Sequence, residues 1–256
     1  MDDRAEGEGQ GAPKSCGLLI TDGTSLRVRG IRLSELPIPQ PTFEVSIDMC
    51  PHWIGIAVSH LHEARAHHET VIANLNPRRS ALLAVALEQE FRSAMQAIVA
   101  AAVGIDALYA SIRQVFELPP ELPKTWRKNR TPRYAQVAET FRRAFSLNET
   151  GGNNLRSGVK EIYRFRDYAV HPPAKFSTPE YRQDIERATE WRFVAFSYGN
   201  AFAAVHGSLV LTKLLLSRPV PDSLVETQGR LARQLQRFWT VWETDFGPLT
   251  AEPLSE

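Results

Sequence analysis

The chain has 256 residues, 43% of them hydrophobic and 23% charged, which is enough apolar material for one large domain or two small ones. Its formal net charge is only +1, so any affinity for nucleic acid must come from local basic patches. The two cysteines, Cys16 and Cys50, form no C-x-x-C pair, which excludes a zinc ribbon or a thioredoxin-like motif. A reducing cytoplasm is the simplest compartment, and a Cys16–Cys50 disulfide is the alternative.

The N-terminal region predicts a tail followed by a small β element. Residues 1–15 combine glycines with charges and predict a disordered tail without a signal peptide. Residues 16–50 contain β-prone runs at 18–20 and 26–31 around Asp22-Gly23, a strong hairpin signal, and a third alternating run at 43–47. So small an antiparallel sheet is not stable alone, so we expect it to pack on the helices that follow.

Residues 51–246 follow a helical period. The pattern predicts helices at 53–75, 80–116, 131–150, 154–170, 178–217 and 222–246, a loop at 117–130 and a loose tail at 247–256. The most apolar window, residues 98–108, contains Asp106, which favours a buried helix over a membrane span. Long helices with short connections predict a mainly α protein, an antiparallel helical bundle.

An arginine and a histidine lie close together where one of these helices stops. Arg166 is followed by Asp167, and His171 comes four residues later, directly before Pro172. Proline disfavours helical geometry in the residue that precedes it, so the helix should end near Val170. His171 would then leave the helical surface and be free to approach Arg166. On these residues alone, a salt bridge from Arg166 to a neighbouring helix and a capping role for His171 are the favoured explanation of the pair.

The segment from Arg166 to Pro172 resembles the signature of the HEPN superfamily, in which an arginine, usually followed by a polar residue, is separated from a histidine by four to six residues. The resemblance covers a short motif, and the helical region around it suits the HEPN-like bundle that it implies. The N-terminal strands would be an addition to that core.

The resemblance implies a chemistry. Catalytic members of the family are metal-independent endoribonucleases whose site forms between two protomers, used in toxin–antitoxin or defence systems. His171 would be the acid–base group, Arg166 would stabilise the scissile phosphate, and Asp167 would orient one of them. The products would be a 2′,3′-cyclic phosphate and a 5′-hydroxyl. The implied partners are a second copy of the chain, single-stranded RNA, and an antitoxin or regulatory protein.

Two basic segments predict RNA contacts. In one, cations surround an aromatic side chain that could stack on a base: Lys124, Trp126, Arg127, Lys128 and Arg130. The alternative is a solvated loop whose tryptophan folds back onto the bundle. In the other, Arg156, Lys160 and Arg164 follow each other at four-residue spacing, and such a row of like charges favours an anionic partner. That partner could be RNA or a neighbouring acidic helix.

No cofactor or metal is predicted. Five histidines fall in the first helix, but they show no H-E-x-x-H spacing, and they are interpreted as surface or packing residues: His52, His60, His62, His67 and His68. We also expect no membrane association. Two other function classes stay open, a catalytically inactive dimerisation or interaction module and, more weakly, a nucleotide or small-molecule sensor with a pocket in the bundle.

Overall fold

The computed structural model describes residues 24–29, 42–76, 80–171 and 178–250, with side chains from residue 47 onward. The described chain is mainly helical, as the sequence predicts. It has eight α-helices and two small sheets, where the sequence predicts six helices and one β element. The predicted tail at 1–15 and the predicted strand at 18–20 lie outside the described residues, and so does the Asp22-Gly23 turn.

The N-terminal unit, residues 1–46, contains most of a two-stranded sheet. β1 (Thr24–Arg29) pairs with β2 (Thr42–Ile47), and the two strands match the predicted runs at 26–31 and 43–47. The second compact unit is residues 47–256 and holds the helices. The packing of the β element on the bundle stays a prediction.

Two long helices form the centre of the second unit. α1 (Met49–Ala73) and α2 (Ser80–Val115) pack along each other and bury a continuous apolar core between them. α2 runs unbroken through Gly104, where a β-carbon would lie 2.9 Å from the Ile54 side chain, so glycine permits the close approach of the two helices. Cys50 is a free, fully buried thiol, and burial followed by the negative charge of Asp48 raises its pKa.

The other long helices surround this pair. α4 (Arg133–Ala144) packs on α5 (Glu149–Val170), α5 packs on α2, and α7 (Tyr198–Leu216) contacts both α1 and α2. α8 (Asp222–Asp245) closes the bundle against α1 and α7. α5 begins earlier than predicted because the Asn148 side chain accepts a hydrogen bond from the Gly151 amide at 2.8 Å. The glycines at 151–152 therefore sit in the first turn of the helix rather than before it.

Two predicted segments are wrong. The predicted loop at 117–130 contains a helix, α3 (Glu121–Lys128), because Pro120 and Pro123 stand at its N-cap and in its first turn, where backbone N–H groups lack helical partners. The predicted helix at 178–217 begins only at Tyr198. Before it lie β3 (Glu180–Arg182), a 3₁₀ turn (Gln183–Ile185), β4 (Arg187–Thr189) and the short helix α6 (Trp191–Ala195), with β3 and β4 antiparallel.

Two helices, α2 and α7, are long and apolar enough to cross a membrane by length and composition alone. About half of each apolar window is buried inside the protein, 56% in α2 and 50% in α7, and core helices of soluble proteins have the same composition. The composition of these helices therefore does not test the predicted cytoplasmic location or the expected lack of membrane association, and both stay predictions.

Candidate functional site

His171 leaves the helix where the sequence predicts. α5 ends at Val170, and His171 is its C-cap with φ −128° and ψ 63°. Its backbone N–H donates to the Asp167 carbonyl at 2.7 Å. The imidazole is exposed, and it makes no hydrogen bond or ion pair with any residue that the structure describes. It is therefore accessible to a ligand or to a second protein surface.

Arg166 is held in place by two carboxylates. Its Nη1 donates to Asp106 Oδ2 at 3.1 Å, and its Nε and Nη2 donate to Asp167 Oδ1 at 3.1 and 2.8 Å. Its guanidinium also stacks on the Tyr163 ring at 4.2 Å from the ring centre. The structure thus brings Arg166 and Asp167 into direct side-chain contact, whereas it shows His171 joined to Asp167 through the backbone alone.

Asp106 is the residue of this site that the sequence analysis did not assign. From α2 it accepts hydrogen bonds from Arg166 and from Arg133 Nε, the latter at 2.8 Å. Burial would lower the pKa of Arg133, but the hydrogen bond and the charge of Asp106 outweigh that effect and raise it. Burial first, and the charge of Asp106 second, raise the pKa of Tyr163. The signal was present in the sequence, because a lone acid in an apolar helix usually has a charged partner.

The predicted basic row lies along the exposed side of α5 and is only partly paired. Arg164 forms an ion pair with Glu161 at 2.8 Å, and Arg156 stacks at 5.9 Å from the centre of the Tyr134 ring. Lys160 has no charged partner among the described residues. The acidic partner of Arg164 is thus on the same helix, and the role of the row in RNA binding stays a prediction.

The second predicted basic segment forms α3 and the turn after it. Lys124 pairs with Glu121 at 3.3 Å, whereas Lys128 is exposed and unpaired within the described chain. Trp126 is only 9% exposed, so most of its ring packs against protein, as in the alternative of a tryptophan folded onto the bundle. Arg127 and Arg130 line a cavity beside it. RNA binding by these residues stays a prediction.

A second charged cluster lies between α1, α2 and the β3–β4 hairpin, with Glu90 buried, His68 half-buried and Asp184 exposed. Ligand atoms of His68, Glu90 and Asp184 lie within 4.8 Å of one another, which is a spacing suited to a metal ion. Arg182 occupies this cluster, since its Nη2 lies 2.6 Å from Glu90 Oε1 and 2.8 Å from Asp184 Oδ2. A guanidinium thus already supplies the positive charge that a metal would bring, and the cluster is better described as a structural ion-pair network.

This network predicts a specific loss of stability in acid. Burial alone would raise the pKa of Glu90, but the hydrogen bonds from His68 and Arg182 outweigh it and lower the pKa below the usual 4.5. As the pH falls, Glu90 therefore takes up a proton more readily in the unfolded chain than in the folded protein. The stability that the Glu90 carboxylate contributes is complete above about pH 4.5, and it is lost as the pH falls through the lowered pKa of the folded protein. Urea unfolding of wild type and Glu90→Gln between pH 7 and 3.5 should give a shallower pH dependence for the variant. Parallel curves would contradict this role of Glu90.

An apolar groove separates α5 from α7. It has a volume of about 310 Å³ and opens to the surface, and Gly158 and Gly207 leave space in its walls. A small-molecule sensor would need such a space. Only Asn154, Glu161 and Asn200 bring polar side chains to it.

Comparisons of this chain with protein-family models, with curated protein sequences and with solved structures found no match. Function must therefore be inferred from the residues and their geometry.

Proposed function

We propose that the protein binds single-stranded RNA and cleaves it without a metal ion, using His171 and Arg166 at the end of α5. The observation that carries this proposal is the position of His171, which is exposed, outside the helix and about one turn beyond a semi-buried guanidinium. An exposed histidine without a hydrogen-bond partner among the described residues, five positions after an arginine that two carboxylates hold, suits acid–base chemistry on a phosphodiester. The resemblance of residues 166–172 to the HEPN motif supports the same chemistry.

The proposed reaction is an internal transesterification. An imidazole removes the proton from the ribose 2′-hydroxyl, and the 2′-oxygen attacks the adjacent phosphorus. The bond from phosphorus to the 5′-oxygen breaks, and an imidazolium gives a proton to the leaving oxygen. The products are a 2′,3′-cyclic phosphate and a 5′-hydroxyl. A concerted transfer needs both a base and an acid, so a homodimer in which two copies of His171 face one phosphate would provide both groups.

Arg166 would bind the phosphate with the N–H groups that have no acceptor among the described residues. A guanidinium has five N–H donors, and Asp106 and Asp167 engage three of them, which leaves two for phosphate oxygens. The two carboxylates fix the orientation of the guanidinium before the substrate arrives, which favours catalysis by preorganised charge. In this proposal Asp106 and Asp167 are positioning residues.

The same carboxylates favour a second candidate function. Two negative charges beside Arg166 repel a phosphate, and an arginine paired in this way also serves as a purely structural link between α2 and α5. The protein would then be a catalytically inactive module that binds a second copy, an antitoxin or another regulatory protein. RNA cleavage distinguishes the two functions directly.

The proposal is tested with a pool of single-stranded RNA in EDTA and with the all-2′-deoxy version of the same sequences. We expect the wild-type protein to cut the RNA pool and to leave the DNA intact, because the attacking group is the 2′-hydroxyl. Cleavage of both pools, or of RNA only after a divalent metal is added, would contradict the proposed chemistry. A folded wild-type protein that leaves the RNA pool intact would favour the inactive module.

A further inference from the structure

A basic cavity lies between α2, α3 and α4, beside the candidate site. It has a volume of about 390 Å³, which is within the range of small-ligand sites. Three arginines line it, together with two aromatic residues and an amide: Arg113, Arg127, Arg130, Tyr109, Trp126 and Gln136. We call the space that these residues line the basic cavity.

Within the residues that the structure describes, the three arginines of the basic cavity have no acidic partner. Arg113 Nη1 donates to the Phe116 carbonyl at 2.6 Å, which leaves its charge uncompensated. Arg127 and Arg130 are exposed and make no side-chain hydrogen bond or ion pair within the described part of the chain. Like charges around one cavity repel each other, and an anion held between them would remove that repulsion. Phosphate is an anion that arginines bind well, because its oxygens match the guanidinium N–H groups.

The backbone of Arg130 supplies an independent observation. Its φ of 49° is in the left-handed region, at the position after α3 where glycine is the usual residue. The turn is closed by a hydrogen bond from the Thr131 amide to the Trp126 carbonyl at 2.9 Å. A left-handed backbone is unfavourable for arginine, so the geometry of the turn does not account for Arg130. A role of its side chain in the cavity that it lines accounts for the residue better.

Contacts connect the basic cavity to Arg166. Tyr109 forms part of the cavity wall, and the Arg133 guanidinium stacks on its ring at 4.1 Å. Arg133 in turn donates to Asp106, the carboxylate that holds Arg166. A chain of direct contacts therefore leads from the cavity to the candidate site, and one RNA strand could occupy both.

We propose that the basic cavity binds one nucleotide, with its phosphate on Arg113, Arg127 and Arg130 and its base against the wall that Trp126 and Tyr109 form. This inference rests on the proposed function, since it assigns the cavity to a nucleotide next to the one that is cleaved. The shared chemistry of the ligand is an aromatic base with a phosphate, and its source is either an RNA strand or a free nucleotide.

The test is calorimetric titration at low salt with two ligands, adenosine 5′-monophosphate and a mixed-sequence octaribonucleotide. The octamer carries 2′-O-methyl groups so that it cannot be cut. Arg130→Gly is the sharpest variant, because glycine suits the left-handed backbone and removes the guanidinium without harming the fold. We expect Arg130→Gly and Arg127→Gln each to weaken octamer binding about tenfold, the effect of losing one charge-assisted hydrogen bond.

Two controls isolate the side-chain effect. Ser146→Gly makes the same backbone change at another left-handed residue, with φ 50°, and Arg237→Gln removes an exposed arginine from α8. Both should bind the octamer as wild type does. Equal binding by wild type, Arg130→Gly and Arg127→Gln would overturn the proposal, and so would a wild-type protein that binds neither ligand.

The outcomes separate the cavity from the catalytic proposal. Binding of adenosine monophosphate that depends on Arg130 would identify free nucleotides as an additional source of the ligand, whereas octamer binding alone would restrict the cavity to RNA. If Arg130→Gly and Arg127→Gln weaken octamer binding but the wild-type protein does not cleave RNA, the cavity assignment stands and the proposed nuclease function fails.

Discussion

Replacing Arg182 by methionine should lower the free energy of unfolding by about 3–5 kcal/mol. The Arg182 side chain is almost fully buried, and its Nη2 contacts both oxygens of Glu90, which has no solvent exposure, at 2.6 and 2.8 Å. Without the guanidinium, the buried Glu90 carboxylate loses its main positive partner and must stay charged at a high cost or take up a proton. The β3–β4 hairpin would also lose this ion pair with α2.

Urea unfolding followed by circular dichroism measures this change. The double variant Glu90→Gln/Arg182→Met should recover a large part of the loss, because no unpaired charge stays buried. Arg192→Met is a matched control, since its ion pair with Glu190 lies on the surface of the same segment and should change stability by about 1 kcal/mol or less. An Arg182→Met protein within about 1 kcal/mol of wild type would show that the network contributes little to the fold.

Replacing His171 by alanine should reduce RNA cleavage by about 100-fold or more, which is the usual contribution of a general acid–base group. The fold should be unaffected, because the imidazole is exposed and forms no hydrogen bond or ion pair with the described residues. The loss should appear in the rate of cleavage with saturating RNA, whereas RNA binding should change little.

His67→Ala is the matched control for this experiment. His67 is a partly exposed histidine on α1, without a hydrogen bond to any described side chain, and its removal should leave cleavage unchanged. Both proteins are first compared with wild type by thermal unfolding and by their oligomeric state. A His171→Ala protein that cleaves RNA at the wild-type rate would remove His171 from the mechanism.

The long helices and the end of α5 could be predicted because their signals are local. Pro172 follows His171 in the chain, and its steric effect on the preceding residue acts in any fold. The apolar residues of α1 and α2 repeat at helical spacing over many turns, and this pattern is difficult to produce by chance.

Other elements were missed because their local signals favour more than one structure. Prolines at 119, 120 and 123 indicate a loop, yet the first turn of a helix tolerates them, and α3 begins there. Thr-Pro-Glu at 178–180 resembles a helix start, but Glu186 adopts a left-handed conformation with φ 52° and the segment turns back as a hairpin. The hairpin depends on Arg182 reaching Glu90, a tertiary contact that no local pattern contains.

Only those residues of the candidate site that are neighbours in the sequence could be predicted. Arg166, Asp167 and His171 are neighbours in sequence, so their order pointed to a shared role. Asp106 contacts Arg166 from 60 residues away, and its carboxylate changes what the guanidinium can do. A sequence pattern cannot distinguish a free guanidinium from one that two carboxylates already hold, and this difference separates the nuclease from the inactive module.

The most direct test of the account is the chemistry of the new 3′ ends in RNA fragments produced by the wild-type protein in EDTA. The proposed mechanism predicts 2′,3′-cyclic phosphates, which mass spectrometry identifies by the loss of one water relative to a linear phosphate. The fragments on the other side of each cut should begin with a 5′-hydroxyl. Fragments that end in a 3′-hydroxyl and begin with a 5′-phosphate would show that water attacked the phosphate, and that result would contradict the account.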